Sequence, residues 1–232
     1  RPATRSSSLP ASTPGRLLGQ RWLKCRWPPA KPPANCRHWP GRSPKWHCLN
    51  PDKARRPALL LHGFGGGQHD WQPLLPLLVP RPLLIPDLPG HGHSPPLATP
   101  SLTHCAHWLR QQLDAAGVAR VHLLGYSLGG RIALTFASLY AERLASLTLE
   151  GAHPGLADAS QRPARLKQDQ HWAARFSNEP PDRVWADWYR QPLFADLDED
   201  ERQMRVAERS QSDGPALAAL LDGCSLARQP DL

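Results

Sequence analysis

Val121-His122-Leu123-Leu124-Gly125-Tyr126-Ser127-Leu128-Gly129-Gly130 decides the fold. Val121 to Leu124 is a short apolar run of the kind buried in a sheet, and the residues from Ser127 to Tyr140 read as a helix. Between them stands Gly-x-Ser-x-Gly, which in this strand-to-helix setting predicts a sharp turn with the serine exposed at its tip. The glycines allow the backbone to fold tightly and keep neighbouring atoms clear of the hydroxyl. The Leu128 N–H then lies at a helix N-terminus, where negative charge is stabilised. A second donor is expected from the loop at His62-Gly63-Phe64, through the Phe64 N–H, so that Phe64 and Leu128 form an oxyanion hole.

Outward from this turn, strand and helix patterns alternate. Ala58 to Leu61 and Leu83 to Ile85 are apolar runs that stop at breakers, the second at Pro86-Asp87-Leu88-Pro89-Gly90-His91-Gly92. Asp70 to Leu78 reads as a helix strained by Pro76, Leu102 to Ala116 as a helix ended by Gly117, and Leu144 to Leu149 as a fourth strand. Such alternation indicates an α/β fold, a mostly parallel sheet covered by helices. After Gly155 the strand signal ends and helical stretches follow at 158–176, 182–189, 199–210 and 215–221. The expected organisation is a partial core over 57–154 and a helical cap over 155–232. The cap is rich in tryptophan and arginine, a mixture suited to a flat, anionic small molecule, although aromatics at helical spacing also build cores.

Composition narrows the function. The chain has 232 residues and a formal charge of +8, but residues 1–50 hold 10 Lys+Arg and no acidic residue, leaving 18 basic against 20 acidic residues in the remainder. The globular part is therefore not basic, and a nucleic-acid partner is not expected of it. No apolar run approaches the roughly 18 residues of a membrane span, and no membrane partner is expected. Residues 1–56 form a Pro- and Arg-rich arm without apolar periodicity, read as disordered or non-native sequence. A transit peptide or a nucleic-acid-binding arm are the other readings. Cys25, Cys36, His38, His47 and Cys48 lack the paired spacing of a zinc site, so no metal is expected. Irregularly spaced cysteines point to free thiols and a cytoplasmic location.

With these residues in view, the chain from about Ala58 onward resembles the α/β-hydrolase superfamily. Tyr126-Ser-Leu-Gly-Gly-Arg131, Leu149-Glu-Gly-Ala-His-Pro-Gly-Leu156, Ala186-Asp-Trp-Tyr-Arg-Gln-Pro-Leu-Phe194 and Ser225-Leu-Ala-Arg-Gln-Pro-Asp-Leu232 resemble, within it, the 2-succinyl-6-hydroxy-2,4-cyclohexadiene-1-carboxylate synthase family of menaquinone biosynthesis. The resemblance implies a lyase that eliminates pyruvate from 2-succinyl-5-enolpyruvyl-6-hydroxy-3-cyclohexene-1-carboxylate, without metal or organic cofactor. It makes Ser127 the activated hydroxyl that removes the ring proton. Arg131, Arg165 and Arg209 would hold the carboxylates of this small polycarboxylate substrate, and Tyr126 and Trp188 would line the pocket. Arginine suits that task because its planar, permanently charged fork matches a carboxylate with two hydrogen bonds. The serine turn alone is equally compatible with an ester or thioester hydrolase. Oligomeric state is left open.

One departure stands out. A serine base needs an imidazole to take its proton and an acid to orient that imidazole, and in this fold both follow the serine on loops after late strands. Neither has a counterpart here. The polypeptide is therefore expected to be C-terminally truncated, with an exposed sheet edge and little activity. Glu150, His153 and His171 follow Ser127 but lie on no such loop, while His62 and His91 are expected to shape the loops they occupy.

Overall fold

The computed structural model describes residues 55–78, 80–230 and 232, together with the backbone of two short strands, β1 (Arg37–His38) and β2 (His47–Leu49). Four further strands follow: β3 (Ala58–Leu61), β4 (Leu83–Ile85), β5 (Val121–Tyr126) and β6 (Leu144–Glu150). The sheet order is β1-β2-β4-β3-β5-β6. β4, β3, β5 and β6 run parallel, and β2 joins β4 antiparallel. An arm without structure was expected over residues 1–56; β1 and β2 lie within it, and the rest of that expectation falls outside the described residues, as do the side chains of the cysteine–histidine set.

Helices pack on both faces of the sheet, which is why its strands are apolar on both sides. Leu59 and Leu61 of β3 point into a cluster with α2 (Leu102–Ala115) and α3 (Leu128–Leu139), including Leu109, Leu113, Ile132 and Phe136. Ala58 and Leu60, on the alternate face, join Trp71, Leu83 and Ile85. Ser101 caps α2 by accepting the His104 N–H at 3.0 Å. The helix expected over 70–78 is instead a 3₁₀ segment, Gln68–Leu74, and one α turn, α1 (Leu75–Leu78). Pro73 and Pro76 remove the N–H groups that α spacing needs.

The cap consists of α4 (Arg162–Asn178), α5 (Pro181–Trp188), α6 (Glu199–Arg209) and α7 (Gly214–Gly223). Its own core joins Phe176, Val184, Trp185, Tyr189, Leu197 and Leu217. Phe64 packs against both this core and the core under the sheet, so cap and sheet meet at the loop after β3. Among the described residues the sheet ends at β6, whose residues are half-buried or exposed. No described helix is long and apolar enough to cross a membrane.

Close packing of α3 on the strand ends depends on missing Cβ atoms. A Cβ on Gly129 would stand 2.3 Å from the Leu61 carbonyl oxygen and 2.5 Å from that of His62. Backbone cannot yield there as a side chain can, so Gly129→Ala is expected to lower stability by about 3 kcal/mol in urea unfolding. Gly117, at φ +66° with open space around it, isolates the conformational cost alone. Gly117→Ala is expected to lose about 1 kcal/mol.

Candidate active site

Ser127 joins β5 to α3 at φ 51°, ψ −114°, and among the described residues it is the one non-glycine with positive φ. That backbone costs on the order of 1–3 kcal/mol and persists because its surroundings enforce it. The Ser127 N–H donates to the Glu150 carbonyl at 2.8 Å, tying the turn to the end of β6. Its hydroxyl does not cap α3. Leu128 is the first residue of α3, where the leading N–H groups lack helical partners.

The loop after β3 lies directly over this turn. A Cβ on Gly63 would stand 3.4 Å from the Ser127 Cβ and 3.1 Å from the Tyr126 ring, a tight fit that a glycine meets without displacing the ring. Phe64 follows Gly63 in this loop. The Tyr126 ring lies between Gly63 and Gly151. Burial, with Asp70 nearby, raises its phenol above the ordinary value.

Two histidines lace this loop to the one after β4. The Leu88 N–H donates to His62 Nε2 at 2.9 Å, which places the His62 proton on Nδ1, where it meets the Gly63 carbonyl at 2.8 Å. Reciprocally, the Gly65 N–H donates to His91 Nε2 at 2.9 Å, and His91 Nδ1 faces the Pro89 carbonyl at 3.2 Å. Burial lowers His62 to about 4 and His91 to about 3. Both rings are therefore neutral and fully engaged, as loop-shaping residues should be. Asp87 adds a third stitch, accepting from Gln68 N at 3.0 Å and His93 N at 3.3 Å.

The three arginines each have protein partners. Arg131 donates through Nε to Gln229 Oε1 at 2.5 Å and through Nη2 to the Cys224 carbonyl at 2.7 Å. Burial, reinforced by Arg165, lowers its guanidinium to about 10. Arg165 pairs with Asp169 at 2.9 Å, and Asp169 also accepts from the Ser225 hydroxyl at 2.6 Å. Arg209 is 6% exposed and donates to Asp70 Oδ1 and His69 Nε2, each at 2.7 Å. Thus Arg131 and Arg165 share one neighbourhood with the Cys224–Gln229 segment, whereas Arg209 stands beside the Gly67–Asp70 turn.

Trp188 packs on Phe64, with ring centroids 5.2 Å apart, and on Trp172 at 5.0 Å. Other cap residues with ligand-like composition are structural. Trp185 is fully buried, Arg175 pairs with Glu179 and Asp187, and Arg162 donates to the carbonyls of Leu156, Ala227 and Gln229. Sequence reading passed over Asp70, Asp169 and Gln229 as arginine partners. Only the Arg165–Asp169 spacing of four residues, one helical turn, could have signalled one of them. Among the described residues no cluster of three or more His, Cys, Asp or Glu is arranged to hold a metal.

Comparison with known proteins places the chain. Residues 57–230 match the alpha/beta hydrolase fold family. The 2-succinyl-6-hydroxy-2,4-cyclohexadiene-1-carboxylate synthase of Enterobacter sp. (strain 638) is 45% identical over 174 residues, covering 75% of this chain and 67% of that protein. The synthase of the same name from Klebsiella pneumoniae subsp. pneumoniae is 43% identical, covering 75% and 69%. Among solved structures, MenH from S. aureus superposes with a TM-score of 0.72 at 22% identity, covering 82% of this chain and 73% of that one. A thermophilic esterase from Thermogutta terrifontis gives 0.65 at 24%, covering 80% and 67%. At such identities these two speak for the fold alone.

Two outcomes are expected from the site's geometry. Ser127→Gly relieves the turn and stabilises the chain by about 1 kcal/mol in urea unfolding, while Ser127→Ala, still at positive φ, does not. The second concerns pH. Both histidines have folded pKa values below the ordinary 6.5, so the unfolded chain binds protons that the folded chain refuses. Their stabilising contribution is complete above pH 6.5 and is lost as pH falls toward 4. Each contributes a slope of about 1 kcal/mol per pH unit in that window. Unfolding midpoints measured from pH 6.5 to 5 should show a shallower slope for His91→Gln than for the parent chain.

Proposed function

The chain belongs to the alpha/beta hydrolase fold family and, within it, to the 2-succinyl-6-hydroxy-2,4-cyclohexadiene-1-carboxylate synthases, and we propose that Ser127 is the centre of a lyase site built on that scaffold. The reaction eliminates pyruvate from 2-succinyl-5-enolpyruvyl-6-hydroxy-3-cyclohexene-1-carboxylate. The observation that carries the reading is the strained Ser127 turn lying under Gly63 in a chain so close to the synthases.

Removal of the ring proton beside the succinyl carbonyl leaves an electron pair that shifts negative charge onto the carbonyl oxygen. The Leu128 and Phe64 N–H groups are the donors we assign to that oxygen, and such fixed donors strengthen as the charge develops. The pair then forms the C2–C3 double bond, the existing C3–C4 double bond shifts to C4–C5, and the C5–oxygen bond to the enolpyruvyl group breaks, after which the released enolate takes up a proton to become pyruvate. Ser127 acts as base only when an imidazole accepts its hydroxyl proton. His62 and His91 do not fill that role, because their ring nitrogens are already used between the loops and burial lowers their affinity for a proton. Arg131, Arg165 and Arg209 are assigned to the substrate's carboxylates, and Tyr126 and Trp188 to the pocket wall. Phe64 contributes its side chain as well, since its ring seats Trp188 over the loop.

The test measures substrate binding by tryptophan fluorescence and pyruvate release by a coupled assay. Arg131→Ala, Arg165→Ala and Arg209→Ala should each weaken binding about tenfold or more, as expected for loss of a charge-assisted pair. In a chain carrying the acid and the imidazole that follow the serine in this fold, Ser127→Ala should bind substrate normally and lose pyruvate release by roughly 10³-fold or more. Binding indifferent to all three arginines, or release indifferent to Ser127, would overturn the assignment.

A further inference from the structure

Asp70 occupies a position that neither the turn nor the cap explains alone. Its Oδ1 accepts from Arg209 Nη2 at 2.7 Å, and its Oδ2 accepts the Gly67 N–H at 3.1 Å. The second oxygen also lies flush against the loop, since a Cβ on Gly66 would stand only 2.3 Å from it. Gly66 in turn donates to the Gly63 carbonyl at 3.1 Å, closing the bend that carries Phe64. A cap cation and the backbone beside the proposed oxyanion donor are therefore held by opposite oxygens of one carboxylate.

We infer that Asp70 is a positioning residue that couples the cap to the oxyanion loop, orienting Arg209 for a substrate carboxylate while fixing the bend that presents the Phe64 N–H. The inference rests on the roles proposed above for Arg209 and Phe64. Arg209 needs such a partner because it is buried, its other acidic neighbour, Glu208, being 3.8 Å away. With Nη1 on His69 and Nη2 on Asp70, its Nε–H is buried without a hydrogen-bond partner. Burial by itself would raise the Asp70 carboxyl, but the Arg209 guanidinium beside it brings it below its ordinary value, keeping it ionised.

The test compares the 232-residue chain with Asp70→Asn, Asp70→Glu, Arg209→Gln and Arg175→Ala. Three quantities are read: amide hydrogen exchange across residues 62–72, global stability in urea, and affinity for the product 2-succinyl-6-hydroxy-2,4-cyclohexadiene-1-carboxylate by tryptophan fluorescence. Asp70→Asn and Arg209→Gln are each expected to speed exchange in the loop about tenfold beyond what their global stability accounts for. Asp70→Asn should also weaken product binding about tenfold, and Asp70→Glu should recover most of both losses. Arg175→Ala, which breaks the cap's internal pairing with Glu179 and Asp187, should leave loop exchange unchanged. Exchange that rises evenly over the whole chain, in step with lost stability, would mean an ordinary structural pair and overturn the inference. Unchanged product binding in Asp70→Asn, with loop exchange unaltered, would overturn it equally. A parent chain that does not bind the product, yet shows the loop-specific exchange pattern, would sink the substrate assignment and leave the coupling standing.

Discussion

The site depends on how closely a helix can approach the ends of two strands. Gly125, Gly129 and Gly130 have no Cβ atoms, and at each of them a Cβ would come within 2.6 Å of another heavy atom. This lets α3 start directly above β3 and β5, and Ser127 is forced into positive φ because no relaxed backbone connects a strand and a helix so tightly. The strain is sustained by many ordinary contacts. Leu59, Leu61, Leu123, Ile132 and Phe136, all nearly inaccessible to solvent, hold the helix and sheet together. Burial of each such side chain is worth roughly 1.5–3 kcal/mol, enough in sum to hold one residue off its preferred conformation.

A second layer of order comes from reciprocal lacing. His62 accepts from the loop that holds His91, and His91 accepts from the loop that holds His62. Histidine suits this position because a neutral ring carries one donor and one acceptor, and both loops need one of each. The same segment then serves as the floor for the cap, where Phe64 meets Phe176, Trp185 and Trp188 with ring centroids 5.2 to 6.0 Å apart. The residue proposed to offer a backbone donor to the site is thus also the residue whose ring seats the cap. Loop position and cap position become a single structural variable.

Much of this was legible from the chain itself. The strands at 58–61 and 83–85 coincide with apolar runs bounded by breakers, since a strand buried on both faces has no choice but to be apolar throughout. The serine turn was legible because glycine spacing records a steric requirement directly. The 3₁₀ segment at 68–74 was only half legible: Pro73 and Pro76 announced strain, but the strain was resolved by changing helix type rather than by shortening. Least legible were the partners of the arginines. Gln229 and Arg131 are 98 residues apart, and Asp70 and Arg209 are 139 apart. No periodicity connects such positions, and only the packed fold brings them together.

Those partners alter what a cluster of cations means. A guanidinium surrounded by protein loses hydration that a substrate carboxylate can restore only while bound, so the unliganded chain must compensate it by other means. Arg131 does so with a carbonyl and a side-chain amide, neither of which carries formal charge, and its guanidinium is correspondingly easier to deprotonate than usual. Arg209 does so with a full carboxylate and is held in the opposite sense. Under the proposed assignment a ligand carboxylate would gain more from Arg131, whose partners carry no formal charge, than from Arg209, whose charge is already balanced. On the proposed assignment Arg131 would supply binding energy, and Arg209 with Asp70 geometry. Identical side chains are in this way held by partners of different charge.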